Sequence, residues 1–137
     1  MSYLANPLNV KRIDHVVIRV ERLEEMINFY TEVLGCSHER GPGAFGLAQL
    51  RAGDSLIDLL DAGSEFGSKS GRKPEHEAPN MDHVCLRISP WEDEAILSHL
   101  KKHNVAHGPI EQRYGADGKG PSLYLRDPEG NSIELKG

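Results

Sequence analysis

Apolar and polar residues alternate along two short segments of the chain, residues 12–20 (RIDHVVIRV) and 80–88 (NMDHVCLRI). Strict alternation of this kind predicts a half-buried β-strand. Aligned on His15 and His83, both segments carry Asp-His-Val and an arginine four residues after the histidine. The chain therefore contains an internal repeat, which predicts two similar modules.

The rest of each half follows the same plan. A helical pattern of apolar residues follows each strand, and the first such pattern ends at Gly35, a residue suited to closing a helix. Residues 51–59 (RAGDSLIDL) and 126–135 (RDPEGNSIEL) both contain an arginine, a glycine turn and a strand with one carboxylate between aliphatic residues. The predicted strands lie near 12–20, 36–40, 44–51 and 55–61, and near 81–88, 105–112, 121–126 and 131–136.

These patterns predict an α+β fold of two tandem βαβββ modules that form a cup-shaped mixed sheet. With 137 residues, the chain is expected to be a single domain. Module one covers about 10–61 and module two about 81–137. Residues 62–80 are rich in glycine, serine, proline and charge, which predicts a linker or mobile flap between the modules.

Strand alternation places four polar side chains on the faces of the sheets that carry no helix. In each module one histidine and one carboxylate share this face: His15 with Asp58, and His83 with Glu134. If the two faces curl into one cup, these side chains converge. Mixed nitrogen and oxygen ligands suit a divalent ion, and we expect Zn, Ni, Co, Mn or Fe.

Composition narrows the classes of partner. Sixteen Lys and Arg against 21 Asp and Glu give a net charge of -5, which argues against nucleic acid and anionic membranes. No apolar run is long enough to cross a bilayer, and the first residues do not resemble a signal peptide. Two cysteines predict no disulfide framework, so a cytoplasmic location is expected.

The chain resembles the vicinal oxygen chelate superfamily, the group of glyoxalases, bleomycin resistance proteins and dioxygenases. Its most specific segments are IDHVVIRV at 13–20, NFYTEVLG at 28–35 and LYLRDPEGNSIEL at 123–135. The resemblance implies metal ligands at His15, His83 and Glu134. Glyoxalase I-like members carry a fourth ligand, a glutamate, where this chain has Asp58, and the shorter side chain departs from that pattern.

The resemblance also implies a reaction class, that of a lactoylglutathione lyase-like lyase or isomerase that chelates adjacent oxygens of a small-molecule substrate. A carboxylate, Glu134 first and Asp58 second, would carry the proton. Arg19 and Arg87 are candidates to bind an anionic group of the substrate, or else to form ion pairs at the rim. Tyr124 lines the cup or only packs.

Other interpretations stay open at this stage. The chain could be a metal-free binding protein of the bleomycin-resistance type, a fosfomycin-type thiol transferase or an Fe(II) dioxygenase. A homodimer is expected by resemblance, with cups formed within one chain or by exchange of modules between two. Cys85 is interpreted as a small buried residue, and the pair His99 and His103 as a solvated helix face.

Overall fold

A computed structural model describes residues 7–8, 10–69 and 81–137. The N-terminal unit contains β1 (His15–Val20), α1 (Leu23–Asn28), which continues as a π-helix (Phe29–Val33), β2 (Ser37–Arg40), a 3-10 turn (Gly43–Phe45), β3 (Leu47–Ala52) and β4 (Ser55–Asp61). A short helix, α2 (Glu65–Ser68), follows. The C-terminal unit contains β5 (Val84–Arg87), α3 (Asp93–Lys102), β6 (Glu111–Gly115), β7 (Gly118–Arg126) and β8 (Ser132–Lys136).

Each unit forms a four-stranded mixed sheet of the same topology. The strand orders are β1-β4-β3-β2 and β5-β8-β7-β6. In each sheet the first and last strands pair in parallel, and the remaining neighbours are antiparallel. The predicted α+β class and repeated module are confirmed, with the strands arranged as two sheets, in which β1 and β5 are both edge strands.

The strand registers of the two units are equivalent. Asp58 pairs with Val17, two residues after His15, and Glu134 pairs with Cys85, two residues after His83. On the other side, Gln49 pairs with Asp58 and Tyr124 pairs with Glu134. Directly paired residues point to the same face of a sheet, so each carboxylate lies on the same face as its histidine.

Several predicted boundaries are wrong. The strand expected at 105–112 forms at Glu111–Gly115, preceded by an isolated bridge at His107, and β7 begins at Gly118 rather than near residue 121. The glycines of the β6–β7 hairpin allow the strands to continue almost to its turn. The expected linker 62–80 contains the helical turn α2, and its residues 70–80 lie outside the described part of the chain.

The core lies on the helix-bearing sides of both sheets. Val20, Leu59, Leu123 and Ile133 are fully buried there with Tyr30. As predicted from the alternation, Val17 on the opposite face of β1 is 49% exposed. Gly35 ends the first helix with φ +77°, the left-handed conformation that glycine adopts at low cost.

Polar contacts join the two units on the helix-bearing sides of the sheets. The Tyr30 hydroxyl donates a 2.8 Å hydrogen bond to buried Asp127 in the β7–β8 turn. The Glu129 carboxylate in that turn accepts from the main-chain N–H groups of Glu21 and Arg22 at the start of α1, at 2.8–3.0 Å. These contacts join the two units. The helix-free faces of the two sheets are called here the concave faces. Across the described residues, no helix is long and apolar enough to span a membrane.

Candidate metal centre

The concave face of the C-terminal unit brings His83 and Glu134 together. The Nε2 atom of His83 lies 3.2 Å from the Oε1 atom of Glu134. The Nδ1 atom of the same ring lies 2.7 Å from the Asp82 carboxylate. The carboxylate at Nδ1 orients the ring so that its Nε2 atom faces Glu134.

Glu134 is buried but well supplied with donors. Glu134 is only 6% exposed, and its Oε2 atom accepts a 2.7 Å hydrogen bond from the Ser122 hydroxyl. Burial alone would raise the pKa of Glu134. Hydrogen bonding from Ser122 and Tyr124 and the nearby His83 ring outweigh burial and hold the pKa below its ordinary value. The carboxylate is therefore ionised at neutral pH and able to accept a proton or bind a cation.

Tyr124 belongs to the same cluster. Its ring meets the His83 ring edge-on at 5.2 Å between centroids, and the Arg113 guanidinium lies 4.7 Å above it. Burial and the Glu134 charge raise the pKa of Tyr124. The neutral hydroxyl is thus kept as a donor beside the carboxylate.

The concave face of the N-terminal unit carries a sparser version of this arrangement. The Nδ1 atom of His15 lies 2.8 Å from the Asp14 carboxylate. Hydrogen bonding to Asp14, and the charges of Asp58 and Asp14, raise the pKa of His15 against the opposing effect of burial. Asp58 is 2% exposed and accepts a 3.1 Å hydrogen bond from Gln49 at Oδ2. Its Oδ1 atom is buried and has no hydrogen-bond partner among the described residues.

The four predicted ligands do not meet within one copy of the chain. Among the described residues there is no group of three or more His, Cys, Asp or Glu side chains that could hold a metal ion. Each unit instead carries one histidine and one carboxylate on its concave face. Both histidine side chains remain accessible, 47% for His15 and 30% for His83.

The donors fit a divalent cation. Both histidines have a carboxylate at Nδ1, an outer partner that histidine ligands of metals generally have. The Nε2 atom of His83 faces the second candidate ligand of its unit, Glu134. A buried carboxylate oxygen without a donor, as at Asp58, is costly unless a cation or a proton occupies the site. The imidazole and carboxylate donors are those that Zn, Ni, Co, Mn and Fe accept.

The predicted substrate-binding arginines have different surroundings. Arg87 forms an ion pair with Asp117 in the β6–β7 turn, which matches the alternative of a rim ion pair. Arg19 lies at the equivalent position on β1, opposite Leu60. Contact of either residue with a substrate stays a prediction.

Sequence reasoning missed several polar residues of the concave faces. Ser122, Gln49, Arg113 and Lys136 all lie there, and alternation from Tyr124 and Glu134 could have placed Ser122 and Lys136. Gln49 and Arg113 lie on strands without a repeated motif. The expected burial of Cys85 is wrong, because β5 is an edge strand and leaves this residue exposed.

The pair His99 and His103 lies on α3, with ring centroids 4.7 Å apart. His99 Nε2 is 2.8 Å from the main-chain oxygen of Val33 in the π-helix. This histidine thus joins the helices of the two units, a contact that the helical spacing alone did not predict.

Two βαβββ units with a histidine and a carboxylate at matching registers define a protein of the glyoxalase type. The model of the Glyoxalase/Bleomycin resistance protein/Dioxygenase superfamily matches residues 12–135, and the chain belongs to this superfamily. The resemblance inferred from the motifs is thereby confirmed.

Individual relatives include proteins of different kinds. Virulence protein STM3117 of Salmonella typhimurium is 34% identical over 92% of this chain and 83% of its own length. Its crystal structure has a TM-score of 0.75, covering 94% of this chain and 98% of that chain at 29% identity. Mitochondrial methylmalonyl-CoA epimerase of Homo sapiens is 28% identical, over 93% of this chain and 74% of its own length.

Proposed function

We propose that the chain is a metal-dependent lyase or isomerase that acts on a small substrate with two adjacent oxygens. The observation that carries this proposal is the matching register of the two half-sites, each with a histidine and a buried carboxylate on its concave face. The unpartnered Oδ1 of Asp58 supports a cation at this position. The epimerase among the relatives supports the isomerase class.

His15, His83, Glu134 and Asp58 would hold the cation. A divalent cation bound there would polarise the two substrate oxygens and acidify the C–H bond beside them. Glu134 would take up this proton, because its carboxylate is ionised and fixed by Ser122 and His83. Asp58 has fewer donors and is the second candidate for proton transfer.

The complete site would require two copies of the chain. The described part of one copy brings no three candidate ligands together, and its units join through their helix-bearing sides. The concave faces are left open, with exposed Val17 and Cys85 beside the candidate ligands. We therefore place His15 and Asp58 of one copy opposite His83 and Glu134 of the other, in a homodimer with two sites.

Metal binding tests the proposed function directly. The protein is stripped with a chelator, reloaded with each candidate ion and measured by elemental analysis and by titration. We expect about one ion per chain, and a loss of affinity of about 100-fold or more in Glu134→Gln. Turnover of hemithioacetal and 2-hydroxyketone substrates should be lost in the same variant.

The matched control is Glu94→Gln, which removes an exposed carboxylate of α3. This helix lies on the opposite side of the sheet from the candidate ligands, so we expect metal affinity and turnover close to those of the unaltered protein. A protein that takes up no stoichiometric ion contradicts the proposal and favours a metal-free binding protein. Full turnover in Glu134→Gln contradicts the role of this carboxylate.

A further inference from the structure

We propose that a cleft between the π-helix of the N-terminal unit and the C-terminal unit binds a small organic anion, a molecule with an apolar body and one carboxylate or phosphate group. The cleft has a volume of about 730 Å³, within the range of about 300–1,000 Å³ that is typical of small-molecule sites. None of the four candidate metal ligands, all of them among the described residues, lines it. The inference therefore does not depend on the proposed function.

The walls of the cleft are the start of the π-helix, the loop at 103–108 that follows α3, and the end of β7. The loop is tied to the strand, because the Gly108 main-chain N–H donates a 2.9 Å hydrogen bond to the Tyr124 carbonyl. It is also tied to the helix, because the Val105 N–H donates a 2.9 Å hydrogen bond to the Leu100 carbonyl. Hydrogen bonds of the protein thus hold the walls in place without a ligand.

One side of the cleft is apolar. Phe29, the first residue of the π-helix, lines it together with Val105 and Pro128. The Phe29 ring meets the Tyr30 ring edge-on, at 5.8 Å between centroids, and the Tyr30 hydroxyl is fixed by Asp127. Short π-helical segments are frequent at functional sites. The apolar body of a ligand would pack against this side.

Basic residues predominate among the charged residues that line the cleft. They are Arg126, His103 and His107, and none of them forms an ion pair with another described residue. The Arg126 guanidinium donates a 2.7 Å hydrogen bond to the Gly130 carbonyl through one nitrogen and makes no other hydrogen bond within the described part of the chain. A guanidinium is permanently charged and matches the geometry of a carboxylate or phosphate group.

Asp127 is the acidic residue in the described lining, and its carboxylate already has its own donors. The residue is 5% exposed. Its Oδ1 atom accepts hydrogen bonds from the main-chain N–H groups of Glu129 and Asn131, both at 2.9 Å, and its Oδ2 atom accepts the Tyr30 hydroxyl at 2.8 Å. This carboxylate is therefore not a partner of Arg126, and an anion from solution would supply one.

Two organic anions and a neutral analogue test the cleft. Benzoate, phenyl phosphate and benzyl alcohol are titrated separately into the chelator-treated full chain and followed by calorimetry and by the amide NMR signals. We expect saturable binding of at least one anion, with the largest shifts in the loop at 103–108 and at Arg126. Benzyl alcohol should bind about tenfold more weakly or worse, because it forms no charge-assisted hydrogen bond. The tighter anion identifies the anionic group.

A pair of variants at Ala106 separates charge from bulk. Ala106 is an exposed residue that lines the cleft, so we expect both variants to fold. Ala106→Glu adds a negative charge, and Ala106→Gln adds a side chain of the same size without the charge. Anion binding should be weaker in Ala106→Glu than in Ala106→Gln by about fivefold or more, because like charges repel.

Arg126→Gln removes the permanent positive charge of the cleft. We expect binding of the anion to weaken by about tenfold or more, because a charge-assisted hydrogen bond is lost. The matched control is Arg40→Gln, which removes an exposed arginine of β2 in the N-terminal unit. This variant should bind the anion as the unaltered protein does.

Several results would overturn the proposal. They are the absence of saturable binding of either anion, shifts confined to other surfaces, equal affinity for benzyl alcohol, or equal binding by Ala106→Glu and Ala106→Gln. Glu134→Gln should bind the anion as the unaltered protein does, since Glu134 does not line the cleft. Loss of anion binding in this variant would place the anion on the concave face instead.

Discussion

Asp58 and Glu134 occupy the same position in two sheets of the same topology, yet their surroundings differ. Glu134 receives the Ser122 hydroxyl, interacts with Tyr124 and faces the His83 ring at 3.2 Å. Within the described part of the chain, Asp58 accepts a hydrogen bond only from the Gln49 amide and keeps one buried oxygen without a partner. The repeat thus preserves the location of the carboxylate while its hydrogen bonding is complete in one unit and incomplete in the other.

This difference separates two functions of a buried carboxylate. A carboxylate with a full set of donors is stable without a ligand and is held in a fixed orientation for proton transfer. A carboxylate with an unpartnered oxygen destabilises the empty site and gains most when a cation arrives. The His83–Glu134 pair is therefore held in place without a ligand, whereas a cation bound at the proposed site would stabilise the surroundings of Asp58.

Asp58→Asn should give the largest change in the stability of the metal-free protein. We expect the free energy of unfolding to rise by about 1–2 kcal/mol, because a buried carboxylate with an unpartnered oxygen is replaced by a neutral amide. Metal affinity should fall in the same variant. Chemical denaturation and metal titration measure the two opposite effects.

Asp54→Asn is the control for this change, since Asp54 is an exposed residue of the β3–β4 turn. Its effect on stability should stay within about 0.5 kcal/mol. A metal-free Asp58→Asn protein that is clearly less stable than the unaltered one would show that Asp58 is a structural acceptor and not an incomplete ligand.

Ser122→Ala should have a smaller and pH-dependent effect. Removal of the hydroxyl takes one donor from Glu134, and we expect a loss of about 1 kcal/mol at pH 7 in the metal-free protein. The pKa of Glu134 is lowered in the folded protein, so its contribution to stability is present above the ordinary glutamate pKa. It is lost as the pH falls through the folded-state pKa.

The difference between Ser122→Ala and the unaltered protein should therefore shrink below about pH 4. Denaturation at neutral and acidic pH measures it, with Ser37→Ala as an exposed control on β2. A difference that is the same at both pH values would show that the hydroxyl contributes through packing alone.

Much of the fold was predictable from the repeat. The positions of His15 and His83 defined both edge strands, and the alternation of side chains was enough to place Asp58 and Glu134 on the concave faces. These predictions worked because a strand with one buried face has a strict period of two. The strand at Glu111–Gly115 was misplaced because its sequence, EQRYG, has no alternating apolar residues.

The candidate site was only partly predictable. The types of ligand follow from the repeat, but the donor on each carboxylate comes from a strand whose sequence differs between the units, Gln49 in one and Ser122 in the other. Lys136 passes close to Gly115, where a Cβ would lie 3.0 Å from its Cδ and Cε, and this glycine is distant from it in the chain. Such effects arise from pairing between strands, which a single sequence does not specify.

The proposed sharing of each metal site between two copies of the chain is tested by mixing two defective variants. His15→Ala and Glu134→Gln chains are unfolded together, refolded and assayed for tightly bound metal. In a mixed dimer one site combines the intact halves and the other combines both defects. Neither variant alone has an intact site.

The control mixes unaltered chains with chains that carry both substitutions. If sites are built between copies, this mixture should lose about half of the tight sites of its unaltered chains, because mixed dimers then carry one defect in each site. For the first mixture, we expect recovery of about one tightly bound ion per four chains. No recovery in the first mixture, together with no loss in the control, would contradict it.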